Sequence, residues 1–232
     1  METKVLIAKQ KLPEIIFIIW ALLALAALLP ATQLLNSSFP LFTVIWILIP
    51  LGVVLKTKDA SRIGFRTIPW RLFAQTTAIN LGGLLLIMLL FEPWSHTYQK
   101  LLTLALEGAS PDTTFAWLLR FPRIPALGTM VLYSGLVTLF GEELFFRGWL
   151  LQLLQKQLGA TWAVFLQALL FTIPNMLVSF MIPPLQGLLY ALIYTWLAIG
   201  MVGGWAASRT KSIWPSLISV TICNLVLVTL IV

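Results

Sequence analysis

VLYSGLVTLFGEELFFR, residues 131–147, is the stretch on which the reading of this chain turns. An apolar run over 131–141 leads straight into two adjacent acids, Glu142 and Glu143. Three more apolar residues follow, and then Arg147. On one continuous helix Glu143 and Arg147 are i, i+4 and share a face. Glu142 lies about 100° further round. Ionisable groups at membrane depth are costly, and they mark candidate functional sites. Arg147 is placed to hold Glu143 ionised, which leaves Glu142 to face a cavity and handle a proton. The same three charges also read as a neutralising cluster at a membrane interface. The other six acids, Glu2, Glu14, Asp59, Glu92, Glu107 and Asp112, fall in loops or near span ends, and no acid follows Glu143.

The sequence around this stretch makes the membrane reading general. The chain has 232 residues, 59% hydrophobic and 10% charged, with a mean hydropathy of +0.96. Soluble domains carry about 25% charged residues, so a soluble monomer and a disordered chain are both excluded. Runs near the 20 residues a spanning helix needs fall at 14–30, 40–55, 72–91, 124–141, 161–182, 184–207 and 213–232. The run at 40–55 is short, and only Pro183 and Pro184 separate the fifth from the sixth. Residues 142–158 read as a continued helix of mixed polarity, an eighth span if it enters the membrane. The run from Ile15 to Pro30 reads as a retained anchor rather than a cleaved signal. With the N-terminus cytoplasmic and strict alternation, 12 of the 15 Lys and Arg fall inside. Lys100, Arg120 and Arg123 fall outside, as the positive-inside rule requires. The expected fold is therefore all-α and polytopic, with seven or eight transmembrane helices. It divides into N-terminal helices over 1–123, with an outer polar loop at 92–123, and a core over 124–232, all in one integral domain.

Other chemistry is sparse. Cys223 and His96 are the single cysteine and histidine, so neither an internal disulfide nor a two-histidine metal site can form. No nucleotide loop, zinc-protease helix or serine-hydrolase elbow occurs. Ser134 and Ser219 have no histidine near them in sequence. Asn80, Gln167, Asn175, Gln186 and Asn224 lie inside spans, where interhelical hydrogen bonding is the plain reading. Gly200, Gly203 and Gly204 read as close helix packing. The basic run from Lys56 to Arg71, with Phe65 and Trp70, suits an anionic headgroup surface.

Glu142-Glu143-Leu144-Phe145-Phe146-Arg147 resembles E-E-x-x-x-R, the first motif of the CPBP family of CAAX prenyl protease and bacteriocin-processing (Abi-type) membrane proteins. Two further elements follow in the family's order. Phe171-Thr172-Ile173-Pro174-Asn175 takes the place of F-x-x-x-H. Trp214-Pro215 leads to Val220-Thr221-Ile222-Cys223-Asn224, in the place of H-x-x-x-N. The resemblance covers roughly 130–228. Both motif histidines are replaced, by Asn175 and Val220.

The resemblance implies a CAAX-protease-like helical core and an intramembrane glutamic endopeptidase chemistry. Glu142 would activate water, Glu143 and Arg147 would support it, and Asn224 would donate to the oxyanion. Asn175 can donate a hydrogen bond to water but cannot take its proton. A metal role proposed for the family is poorly served by glutamates without histidines, and no cofactor or metal is expected. Losing an oxyanion donor typically costs about 10²–10³ in rate, and losing an acid–base partner about 10²–10⁴. The alternative is accordingly a pseudoprotease acting as a membrane binding, assembly or regulatory subunit. A proton or ion path through Glu142 and Asn175 is a third reading. The partners implied are the lipid bilayer and a membrane protein or peptide, prenylated for some relatives, with no nucleic acid. The location implied is a bacterial inner membrane or a thylakoid or plastid membrane, with the C-terminus opposite a cytoplasmic N-terminus.

Overall fold

The computed structural model describes residues 39–97, 100, 140–179 and 182–231, and these are helical apart from short connections. The expected spans at 14–30 and, but for its last two residues, 124–141 lie outside them. We number the helices α1 (Phe39–Thr57), α2 (Trp70–Ser95), α3 (140–158), α4 (160–179), α5 (Pro184–Thr210) and α6 (Trp214–Ile231). Gly159, at φ 77° and ψ 171°, breaks the helix between α3 and α4. Among the described residues, three helical stretches, Trp70–Ser95, Phe140–Met176 and Pro184–Thr210, are long and apolar enough to cross a membrane.

α2 shows how the sequence meets lipid. Its buried residues Thr76, Asn80, Leu84, Met88 and Glu92 recur every fourth position, the spacing that keeps one stripe of a helix facing its neighbours. Ile79, Leu86, Leu89 and Leu90 face outward, exposed and apolar, which is stable only against hydrocarbon. Trp70 and Trp94 are both exposed, one at each end, where aromatic side chains anchor a span at the membrane surfaces. The helix runs on past 91, where the sequence places the start of the polar loop. Glu92 is therefore a buried residue of its last full turn, and His96 closes the helix in a left-handed conformation.

The connection from α1 to α2 is a built structure. Asp59 accepts hydrogen bonds from the Ser61 amide at 3.0 Å and the Ser61 hydroxyl at 2.6 Å. The hydroxyl bond holds its carboxyl below the ordinary aspartate range. Gly64, at φ 82°, ends the turn. Its carbonyl accepts from the Ile213 amide at 3.1 Å, and Ser212 Oγ donates to the Arg66 carbonyl at 3.2 Å. This loop and the α5–α6 turn thus form one end of the bundle.

α3 stays beside that end. Phe140 lies 5.8 Å from the Phe65 ring and 6.4 Å from Trp214. A Cβ on Gly148 would collide with the Ile63 carbonyl. Gln155 donates to Ser208 and accepts from Lys211. The mixed polarity of 142–158 is resolved by burial: Leu144, Phe145, Phe146, Leu150, Leu151 and Leu154 are all buried. The segment Leu151–Ser179 packs most extensively on the middle of α5, and α6 on α2. Pro183 and Pro184 separate α4 from α5, as the sequence indicates, with Pro184 at the first helical position.

Candidate functional site

Glu143 and Arg147 open α3's stretch of π-type helix, Glu143–Leu150. Such i→i+5 winding is rare and is frequent at functional sites. The two side chains form a fully buried ion pair. Four helices enclose it. Arg147 donates a second bond to the Ile199 carbonyl of α5 at 2.7 Å. Its guanidinium lies 4.7 Å from the centroid of the Phe171 ring of α4, within cation–π range. From α6, Ser216 Oγ donates to Glu143 Oε1 at 3.2 Å. Gly203 of α5 leaves room for the pair: a Cβ there would stand 2.8 Å from Ser216 Oγ and 3.0 Å from Arg147 Nε. Glu143 Oε2 and Arg147 Nε make no hydrogen bond among the described residues.

Glu142 differs from its neighbour. It is half-buried and lies within electrostatic reach of Arg147, Glu143 and Tyr190. Asn175 is half-buried on α4, and its amide donates to the Phe171 carbonyl of its own helix at 3.0 Å. Asn224 is half-buried on α6, one turn beyond Val220. Val220 is 1% exposed and sits in an apolar cluster with Leu84, Met88, Tyr194, Ala198, Leu217 and Cys223. Of the expected site residues, the structure joins Glu143 to Arg147, sets Glu142 beside them and ties Asn175 to its own backbone. His96 is exposed at the end of α2, away from the pair.

Several polar residues take roles the sequence does not announce. Ser216 follows the Trp214-Pro215 pair, its only signal. Tyr194 donates to Glu92 Oε2 at 2.8 Å and meets Ser95 Oγ at 3.0 Å, linking α5 to α2. Tyr190 stacks on Tyr194, with ring centroids 6.4 Å apart. Ser219 is spent on the carbonyls of Pro215, at 2.7 Å, and Thr77, at 3.1 Å. Asn80 is fully buried yet makes no hydrogen bond among the described residues, against the interhelical bond expected of it. Gly200, Gly203 and Gly204 of α5 do pack closely. A Cβ on Gly200 would lie 2.9 Å from the Ala168 Cβ, and one on Gly204 would lie 2.6 Å from Gln167 Oε1.

Among the described residues, apolar helices of membrane length enclose a buried Glu–Arg pair beside a second glutamate, which is the build of an integral membrane protein. Residues 124–226 match the family model of the type II CAAX prenyl endopeptidase Rce1-like proteins. Over that part, the chain is similar to the CPBP, or CAAX protease, family. The chain has no significant match among curated proteins or solved structures.

Proposed function

We propose that this CAAX-protease-like protein no longer carries out peptide hydrolysis and serves as a membrane binding, assembly or regulatory subunit. The environment of Val220 carries this reading. A histidine at that position would have to enter an apolar cluster that Val220 fills at 1% exposure. Asn175 cannot accept a proton near neutral pH, and its amide is already committed to Phe171. The donors at hand do not fit a zinc ion either. Glu143 is taken by Arg147, and no imidazole is near the pair. We further propose that the bundle end carrying Lys58, Arg62, Arg66, Arg71, Arg209 and Lys211 faces the cytoplasm, as the positive-inside rule favours.

A second reading is favoured by Glu142, a half-buried residue whose carboxylate stands beside an Arg-held neighbour. As an endopeptidase, Glu142 would take a proton from water as the water oxygen bonds to the scissile carbonyl carbon. It would return that proton to the amine as the C–N bond breaks. Asn224 would face the oxyanion.

The test is a cleavage assay in detergent on prenylated CAAX peptides and a membrane-proteome extract. Parent, Glu142→Gln and Asn175→His/Val220→His proteins are compared. The subunit reading expects no cleavage by the parent. Cleavage by the parent that Glu142→Gln abolishes would overturn it in favour of the endopeptidase.

A further inference from the structure

We propose that Arg66 and Lys211 form a binding site for the phosphate headgroup of an anionic phospholipid. The two residues are 145 positions apart in sequence and are brought together by the joined end of the bundle. Ser212 Oγ holds the Arg66 carbonyl at 3.2 Å, and the Ile213 amide holds that of Gly64 at 3.1 Å. Lys211 is fixed in a left-handed backbone conformation, φ 56°. Its ammonium donates to Gln155, whose amide is bonded to Ser208. Burial, and then the charge of Arg66, pull its pKa below the ordinary lysine value. The fold therefore holds two cations against their mutual repulsion.

Each of the four acids among the described residues is engaged elsewhere, Glu142 beside Glu143, Arg147 and Tyr190. Asp59 pairs with Arg62 at 3.5 Å, and Glu143 is sealed in with Arg147. Glu92 belongs to the opposite end of α2. An anion bridging Arg66 and Lys211 would relieve the repulsion and meet both with charge-assisted hydrogen bonds. The position selects a lipid as its source. Trp70, 75% exposed, begins α2 four residues after Arg66, as an interfacial anchor does. The outward apolar face of α2, from Ile79 onward, offers acyl chains a surface.

The experiment is thermal melting of the purified full chain in a neutral detergent. Phosphatidylglycerol, phosphatidylcholine or inorganic phosphate is added at equal concentration. Phosphatidylglycerol is expected to raise the Tm by about 5–10 °C near saturation, and the other two to leave it unchanged. Arg66→Gln/Lys211→Gln should lose most of that shift. The charge-matched Lys56→Gln/Arg71→Gln should keep it. Arg66→Gln alone, an exposed change, should halve it or more, so the test holds even if the Lys211 variant folds poorly. An equal shift with phosphatidylcholine overturns the proposal. So does an equal shift with inorganic phosphate, which would mark a free-anion site, or an equal loss in both double variants, which would mark a diffuse surface field.

Discussion

Arg147→Met is the perturbation whose cost the structure specifies most closely. The side chain is 2% exposed and makes three kinds of contact: the Glu143 ion pair, the Ile199 carbonyl and the Phe171 ring. Methionine preserves much of the volume but removes the charge. The dominant loss is the compensation of Glu143, since leaving a buried charge without its partner costs about 3–5 kcal/mol. The unpaired Ile199 carbonyl and the lost cation–π contact add smaller amounts, about 1–3 and 0.5–2 kcal/mol, and these overlap with the first. For a chain of this size the loss corresponds to a Tm lower by about 6–20 °C. Glu143→Gln/Arg147→Met removes both charges together. It should recover more than half of that fall, because a neutral buried pair is often no worse than an ionic one. Thermal melting of parent, both single variants and the double variant in one detergent completes the cycle. A single Arg147→Met protein melting within about 2 °C of the parent, or a double variant as low as the sum of the singles, would refute the reasoning.

Three further outcomes follow from packing. Gly203→Ala should destabilise by about 1–3 kcal/mol, because its Cβ meets Ser216 Oγ at 2.8 Å. Gly52→Ala and Gly82→Ala, which meet nothing within 4 Å, should be neutral or slightly stabilising in the same melts. Val220→His should cost about 2–4 kcal/mol, for crowding and for an imidazole without partners. Asn175→His, at a half-buried site, should cost under about 1 kcal/mol, so comparing the two Tm values ranks the two motif positions. Tyr194→Phe should cost about 1.5–3 kcal/mol by removing a bond to a carboxylate. A cycle with Glu92→Gln should show coupling of at least about 0.5 kcal/mol.

The helices and the Glu143–Arg147 pair were legible because they rest on local rules. Apolar runs of membrane length, prolines at a boundary and an i, i+4 charge pair each announce themselves within a few residues. Contacts made across the fold were not. Ser216 reaches Glu143 only because the fold brings the start of α6 to α3, and beyond the neighbouring Trp214-Pro215 pair nothing in the sequence says so. Glu92 reads as the start of a polar loop, since an acid followed by Pro93 breaks the apolar pattern. Its buried position depends on Tyr194, a residue about a hundred positions away. The break at Gly159 was hidden because the apolar sequence continues on both sides of it. The lie of α3 along one end of the bundle follows from close approaches at Gly148 and Gly64, whose value lies in the atoms they lack.

The same contacts explain why the Glu–Arg pair is harder to change than Asn175 and Val220, which stand where the resemblance expects histidine. Glu143 and Arg147 touch α4, α5 and α6 at once, so removing either charge exposes the other to the low-dielectric interior and loosens four helices together. Asn175 spends its amide on its own helix, and Val220 contributes apolar volume to a cluster centred elsewhere. Either position can change its chemistry without leaving a buried charge unpaired. Glu142 stands between these cases: it adjoins the pair but, half-buried, is not sealed by it. Glu142→Gln should therefore leave the stability within about 0.5 kcal/mol of the parent's, although it abolishes any cleavage that Glu142 supports. A large loss of stability in that variant would mean that the first glutamate, too, is part of the structural pair.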